Sequence, residues 1–270
     1  MTQTETRSPH FNREATAATY RDIHLPRVFT PWARVLLEIL PPQPGDAVLD
    51  VATGPGTVAR PAAQLAGPSG RVTATDLSSA MLGIARSFPA ESGSAPIEYL
   101  ESPATAMPLP SEAFDKAYCQ QGLQHMSDPA AALAEIRRLL RPNARLAVAI
   151  WQQSPFGVFR EVVSKLGMTA EGAQPSTFGR DAQDLARALA EAGFTDVAVQ
   201  TRQMESVLQG GVPQAIEVGV ATSAGAGWQN LTSAQQDQIR AALSTALQPM
   251  LKDNGVHLVS ITNIATATRP

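Results

Sequence analysis

Cysteine, basic charge and long apolar runs are all scarce in this chain of 270 residues. Cys119 is the only cysteine, which excludes an internal disulfide and a zinc site built on several cysteines. The 21 Lys and Arg against 24 Asp and Glu give a formal net charge of −3, so no basic excess is present to hold a nucleic-acid backbone. The longest apolar run, residues 146–151, is far shorter than the roughly twenty residues that span a bilayer. Residues 1–10 are polar, unlike a secretory signal. We therefore expect a cytoplasmic protein with neither a nucleic-acid partner nor stable membrane insertion.

Short apolar runs alternate with helical patterns through the first half of the chain. Turn residues bound Ala47–Val51 on both sides and predict a buried strand. Ser78 is a typical N-cap for a following helix, and Pro129 is typical of the first position of an amphipathic helix. Further strands are predicted at residues 71–75, 97–100, 114–119 and 145–151. This alternation is typical of parallel strands joined by helical crossovers, with helices on both faces of the sheet.

The last 120 residues are less regular. Residues 181–193 have the pattern of a helix, and residues 195–204 and 257–266 alternate apolar with polar side chains, which predicts two strands. Between these strands, residues 212–251 are mostly helical in pattern, with Thr232 as an N-cap. Such an insertion either forms a lid over a site or adds packing at the edge of the sheet.

A tight glycine turn follows the first predicted strand. Residues 48–57 run from this strand through Gly54 and Gly56 into a helix, so the backbone can approach a ligand closely. The pattern from Gly54 to Ala59 also fits the dinucleotide fingerprint, with alanine at its third glycine. The ligand class therefore depends on the charged residues around the turn.

Two aspartates decide between these ligands. Asp50 lies four residues before Gly54, where its carboxylate would repel a pyrophosphate and would suit an ammonium group. Asp76 ends the next strand, 22 residues after Gly54, where a carboxylate accepts hydrogen bonds from both ribose hydroxyls. An aminoacyl group and a ribose together describe S-adenosylmethionine (SAM). A purely structural turn with two surface carboxylates is the alternative.

From Val48 to Trp151 the chain resembles the class I SAM-dependent methyltransferases, in particular the group that contains the ubiquinone and menaquinone C-methyltransferases and many natural-product methyltransferases. The resemblance implies an α/β, Rossmann-like sheet of seven strands with helices on both faces, an antiparallel last strand and SAM as cofactor. Four segments carry it in the family's order, namely residues 48–57, 73–82, 106–115 and 135–142. The corresponding division of the chain is an N-terminal helical cap (1–40), a SAM-binding core (41–205), a helical insertion or lid (206–256) and the last strand (257–270).

The resemblance also assigns cofactor contacts, beginning with the methionyl part of SAM. Asp50, Thr53, Gly54 and Gly56 would surround this part of the cofactor. Tyr20 would close over it, although an ordinary packing tyrosine is an equal alternative.

Asp76 would bind the ribose and Leu77 would pack on the adenine. Pro103 stands where the family often has an acidic residue that binds the adenine amino group, which leaves the backbone N–H of Ala104 for this contact. Asn143 replaces a family glycine in the turn before strand five, a change that its tolerance of left-handed backbone permits.

Residues near the transferred methyl group are expected after strand four, because the carboxyl ends of parallel strands face the ligand crevice. Gln120 would neighbour the sulfonium. His125 is the candidate catalytic residue, since an imidazole titrates in the range that suits a base. A pocket-shaping or hydrogen-bonded histidine is the alternative. No carboxylate cluster accompanies this segment, so no metal site is predicted.

The sequence thus predicts SAM-dependent methyl transfer to a small, hydrophobic metabolite, either a natural product or a quinone-like compound. The alternative is a cyclase or pericyclase of the same fold that uses SAM structurally or not at all. A degenerate SAM-binding scaffold is disfavoured by the intact Asp50, Gly54, Gly56 and Asp76. Neither the acceptor atom nor the oligomeric state follows from the sequence.

Overall fold

The computed structural model describes residues 26–168, 177–223, 228 and 231–270. Its strands are β1 (Ala47–Val51), β2 (Arg71–Asp76), β3 (Ile97–Glu101), β4 (Phe114–Gln120), β5 (Leu140–Gln153), β6 (Thr195–Leu208), β7 (Leu251–Lys252) and β8 (Gly255–Thr268). Its helices are α1 (Thr30–Ile39), α2 (Ala59–Ala66), α3 (Ser79–Ser87), α4 (Pro129–Leu139), α5 (Gly157–Lys165), α6 (Ala182–Glu191), α7 (Gly211–Ser223) and α8 (Ser233–Leu247).

All strands belong to one sheet with the order β3-β2-β1-β4-β5-β8-β6. The first five strands pair in parallel, whereas β8 is antiparallel to both β5 and β6. The predicted Rossmann-like sheet with an antiparallel last strand is therefore confirmed. The two-residue strand β7, which pairs with β8, was not predicted.

Helix caps lie where the sequence predicts them. The Ser78 hydroxyl accepts the backbone N–H of Met81 at 3.3 Å and begins α3. Thr232 and Gln235 form a reciprocal capping box at the start of α8. Such caps satisfy backbone donors that a helix start leaves unpaired, and each contributes about 1 kcal/mol.

Strand bounds differ from the prediction in the second half of the sheet. β5 begins at Leu140, directly after α4, because Asn143 takes a left-handed φ of 65° and lets the chain turn within the strand. β6 and β8 extend beyond the predicted alternation because they pair with each other as far as Leu208 and Val256. The length of β6 and β8 is therefore set by the hydrogen bonds between these two strands rather than by their side-chain pattern.

Helix α1 covers one face of the sheet near the carboxyl ends of the parallel strands. Its Trp32 indole donates to the Ser260 hydroxyl at 3.1 Å, and the Tyr118 hydroxyl donates to the Leu40 carbonyl just after the helix. Trp32 also packs edge-on against Trp151 of β5, with ring centroids 5.9 Å apart. The opposite face is covered by α4 and α6 through an apolar cluster that includes Leu133, Ile136, Leu139, Leu185 and Leu189.

The chain between β6 and β8 forms α7 and α8, which pack on α5. Helix α8 buries Ile239, Leu243 and Leu247 as the sequence predicts. A role for this insertion as a lid stays a prediction. Within the described ranges, no helix combines the length and apolar character needed to cross a bilayer.

Gly219 of α7 provides a test of this packing. A Cβ at Gly219 would lie 1.8 Å from the Phe159 ring of α5, whereas a Cβ at Gly83 of α3 would meet nothing within 4 Å. We expect Gly219→Ala to lower the free energy of unfolding by about 1–3 kcal/mol through overpacking. Gly83→Ala should instead raise it by up to about 1 kcal/mol, because alanine is the better helix former. Urea unfolding of both variants measures this, and equal stabilisation at both positions would contradict the packing of α7 on α5.

Candidate functional site

The carboxyl ends of β1, β2 and β4 meet at one edge of the sheet. β1 pairs in parallel with β2 on one side and β4 on the other, with Asp50 opposite Ala74 and Tyr118. This register brings the predicted site residues Asp50, Asp76 and Gln120 to the same edge of the sheet.

The turn after β1 is tied to β2. Gly54 and Gly56 adopt left-handed φ values of 54° and 77°, and the Thr53 N–H donates to the Thr75 carbonyl at 2.9 Å. A Cβ at Gly54 would meet nothing within 4 Å, whereas one at Gly56 would lie 3.2 Å from the Tyr99 hydroxyl. Gly54 thus borders open space, while Gly56 is needed for the turn and its packing on β3.

Asp50 is a buried carboxyl, only 1% exposed. Burial raises its pKa to about 7, and the charge of Asp76 acts in the same direction. The Thr53 hydroxyl, which donates to Asp50 Oδ2 at 2.6 Å, and the backbone N–H of Ala59 oppose this rise. A carboxylate so placed favours a cationic partner, because burying an unpaired charge is costly.

Asp76 joins the two turns of the site. Its Oδ2 accepts the Gly54 N–H and its Oδ1 accepts the Ser78 N–H, both at 2.8 Å. Burial raises its pKa, and these backbone donors oppose the rise. A carboxylate has about four acceptor sites, so the fixed Asp76 side chain keeps capacity to accept a ligand hydroxyl. This link could not be predicted, because nothing in the sequence pattern shows that the Gly54 amide binds a side chain.

The predicted adenine contacts lie beside Asp76. The Ser102 N–H donates to the Asp76 carbonyl at 3.0 Å, and the next turn is closed by the Ala106 N–H and the Pro103 carbonyl at 3.3 Å. Ala104 lies in this turn, and Leu77 is half-buried directly after Asp76. The structure therefore brings Leu77 and Ala104 to the same edge as the two aspartates.

Gln120, the last residue of β4, has one side-chain amide atom that is hydrogen-bonded and one that is not. Its Nε2 donates to the Phe29 carbonyl at 2.9 Å, while its Oε1 is buried with no hydrogen-bond partner. Because a carbonyl only accepts, the Phe29 contact fixes which amide atom remains free.

At Gly122, the segment after β4 passes very close to the turn that follows β1. A Cβ there would lie 2.6 Å from the Ala52 Cβ and 2.8 Å from the Cys119 sulfur, so only glycine fits. The need for glycine at position 122 could not be predicted, because it arises from a contact with Ala52, which is distant in sequence.

His125 lies on the short helical turn Leu123–His125 that follows β4. Its side chain is exposed, and its Nε2 lies 3.4 Å from the Gln124 amide nitrogen. Gln124 Oε1 in turn accepts the Trp151 N–H at 3.2 Å. A catalytic role of His125 stays a prediction, and the predicted contact of Tyr20 lies outside the described residues.

Chemically, this edge offers an anionic group for a cation beside Asp50 and a fixed carboxylate for a diol beside Asp76. Within the part of the chain that the structure describes, no three His, Cys, Asp or Glu side chains form a group that would hold a metal ion.

Comparisons with known proteins identify the relatives of this chain. A family model described as a methyltransferase domain matches residues 49–148. The demethylmenaquinone methyltransferase of Renibacterium salmoninarum is 31% identical over 183 residues, which cover 62% of this chain and 74% of that protein. A ubiquinone/menaquinone biosynthesis C-methyltransferase of Hahella chejuensis is 30% identical over 165 residues, covering 54% of this chain and 66% of the relative. The chain thus spans about two thirds to three quarters of these relatives.

A solved structure shows the same fold. A Bacillus halodurans protein assigned to the methyltransferases has a TM-score of 0.60 at 21% sequence identity. The match covers 88% of this chain and 98% of that chain, so the fold extends well beyond residues 49–148.

The raised pKa of Asp50 gives a prediction for stability. With a pKa of about 7 when folded, against its ordinary value of 3.8 when unfolded, Asp50 binds a proton in the folded state that the unfolded chain releases. Its contribution to stability therefore falls as pH rises from about 4 to about 7. We expect Asp50→Asn to lose stability less steeply than the wild type between pH 5 and pH 8, as measured by urea unfolding.

Asp115 is the matched control. Burial of this carboxyl is outweighed by the Ala47 N–H and Arg141, so its pKa lies below the usual range and it stays ionised from pH 5 to pH 8. In Asp115→Asn, the free energy of unfolding should change with pH as steeply as it does in the wild type. Parallel profiles for the wild type and Asp50→Asn would show that Asp50 does not titrate there.

Proposed function

Because the chain belongs to the class I SAM-dependent methyltransferases of the ubiquinone and menaquinone type, we propose that it methylates a small apolar acceptor of quinone-like or natural-product character. One observation carries this proposal: a buried carboxyl that favours a cation, Asp50, lies beside a carboxylate fixed by two backbone donors, Asp76. This pair matches the two polar ends of an aminoacyl ribonucleoside.

The residues present fit SAM better than a dinucleotide. Asp50 would hold the ammonium group, whose charge offsets the burial that raises the pKa of this carboxyl. Asp76 would accept the two ribose hydroxyls, and Leu77 and the turn at Ala104 would flank the adenine. Gly54 leaves space because no side chain projects there. A pyrophosphate would instead meet a carboxylate.

When bound, SAM supplies a methyl group on a positively charged sulfur. The chain's own contribution is to hold the acceptor against this group, because proximity and orientation supply much of the rate of such displacements. Phe29, Trp32 and Trp151 form an aromatic wall on the α1 side of this edge, in which the Trp151 ring centroid lies 5.9 Å from that of Trp32 and 6.4 Å from that of Phe29. This wall favours a flat apolar acceptor.

The names of the two curated relatives describe methylation of demethylmenaquinone and C-methylation in ubiquinone and menaquinone biosynthesis. We extend this chemistry to the present chain as the proposal of a quinone-like acceptor methylated at carbon. Its N-terminal cap, core and helical insertion would enclose that acceptor, with the insertion as the lid.

Removal of the Asp76 carboxylate tests the cofactor assignment. Asp76→Ala should bind S-adenosylhomocysteine (SAH) at least about tenfold more weakly, because hydrogen bonds to a charged group contribute about 1.5–3 kcal/mol each. Calorimetry measures the affinity, with Asp115→Ala, which alters the opposite end of β4, as the control.

The same preparation separates the competing functions. Methyl transfer requires that SAH accumulate together with a methylated acceptor, whereas a cyclase of this fold would convert its substrate without SAH. Unchanged SAH affinity in Asp76→Ala, or tighter binding of NADH than of SAH, would refute the proposed cofactor site.

The role of His125 is tested by two substitutions. Because its side chain is exposed beside Gln124, we expect it to shape the site rather than remove a proton, so His125→Phe should keep most of the turnover. A positioned base contributes about 10²–10⁴ to the rate. A loss of that size in both His125→Ala and His125→Phe, with loss of the limb near pH 6–7 in the pH–rate profile, would instead establish His125 as the base.

A further inference from the structure

Gln121, the residue after β4, combines three energetic costs at one position. Its backbone φ is +55°, which is uncommon for a residue other than glycine. Its side chain is buried, with only 6% exposed, and its amide oxygen has no hydrogen-bond partner. Strained backbone and unpaired buried polar atoms concentrate at functional sites, so each calls for an explanation.

The left-handed backbone decides where the Gln121 side chain lies. Successive residues of a strand point to opposite faces, and Gln120 already points to the α1 side through its bond to the Phe29 carbonyl. Gln121 nevertheless reaches the same side, because its Nε2 lies 3.4 Å from the Thr262 hydroxyl. Thr262 is paired with Trp151, whose ring packs on Trp32 of α1. The strain thus brings a second amide to the aromatic wall.

The free atom of this amide is an acceptor. The Thr262 contact uses the Nε2 of Gln121, which leaves Oε1 as the unpaired group. An unpaired buried oxygen gains most from a hydroxyl or amino donor, since pairing it removes a penalty that the free protein carries. Ligands that offer only acceptor atoms gain nothing from it.

We propose that Gln121 Oε1 selects the methyl acceptor by accepting a hydrogen bond from a hydroxyl group on a flat apolar ring. Gln121 is then a specificity residue for the reduced, hydroxyl-bearing form of an aromatic acceptor. The inference rests on the proposed methyl transfer, but it assigns a contact that the cofactor site does not need.

The experiment compares three ligands of one shape class by calorimetry on the SAH-loaded protein. 1-Naphthol offers a hydroxyl donor, 1-methoxynaphthalene has no donor, and 1-tetralone offers only a carbonyl. The wild-type protein should bind 1-naphthol at least about fivefold more tightly than either of the others, as expected for a buried amide oxygen that becomes paired.

Substitutions identify the residue responsible. Gln121→Met keeps the length of the side chain and an unbranched Cβ, so it should bind the three ligands within about twofold of one another, while SAH affinity stays at the wild-type value. In Gln121→Asn, the asparagine tolerates the left-handed backbone, so the variant should fold. Its side chain is one methylene shorter, so the amide no longer reaches the ligand and the preference for 1-naphthol should be lost. Gln153→Met, which replaces an exposed glutamine of β5, is the control and should keep the wild-type preference for 1-naphthol.

The outcomes separate this inference from the proposed function. If SAH binds but 1-naphthol is not preferred, or is not bound, the assignment of Gln121 is overturned and the cofactor site stands. A preference for 1-tetralone would also overturn it, because the unpaired atom of Gln121 would then be the amide nitrogen. If SAH itself fails to bind, the proposed function is what fails.

Discussion

The carboxylate of Asp76 is the contact on which the site depends. It accepts one backbone N–H from the turn after β1 and another from the turn after β2, both at 2.8 Å. A parallel sheet aligns its strands but leaves the following turns independent. Asp76 makes them one unit, because a shift of either turn would deprive the partly buried carboxylate of one of its donors.

Asp50 and Asp76 show that this edge holds its charges by different means. Asp76 accepts only backbone N–H groups, whereas Asp50 accepts the Thr53 hydroxyl besides the Ala59 N–H and has a pKa of about 7. The free protein therefore holds much of its Asp50 in the protonated form near neutral pH. A cationic ligand would shift this balance, so ligand binding and proton release at Asp50 are linked.

Local features of the chain could be predicted well. The strand at Ala47–Val51 and the cap at Ser78 depend on neighbours within a few residues, and the structure confirms both. Asp50 and Asp76 could be singled out because they end neighbouring strands. Gln121 and Gly122 could not, because their importance depends on Thr262 and Ala52, which are distant in sequence, and on a backbone angle that no pattern reveals. The extra length of β6 and β8 could not be predicted for the same reason, since it depends on pairing between distant segments.

The close crossing at Gly122 also settles the chemistry of the only cysteine. Cys119 lies beneath that crossing, fully buried, and its burial together with the nearby charge of Asp50 raises the pKa of the thiol to about 12. Only the thiolate reacts with maleimides or iodoacetamides, so the native chain is close to a cysteine-free background for labelling. Two cysteines introduced on exposed helices would then carry fluorophores or spin labels alone, and the distance between them could be followed without first removing a residue of the core.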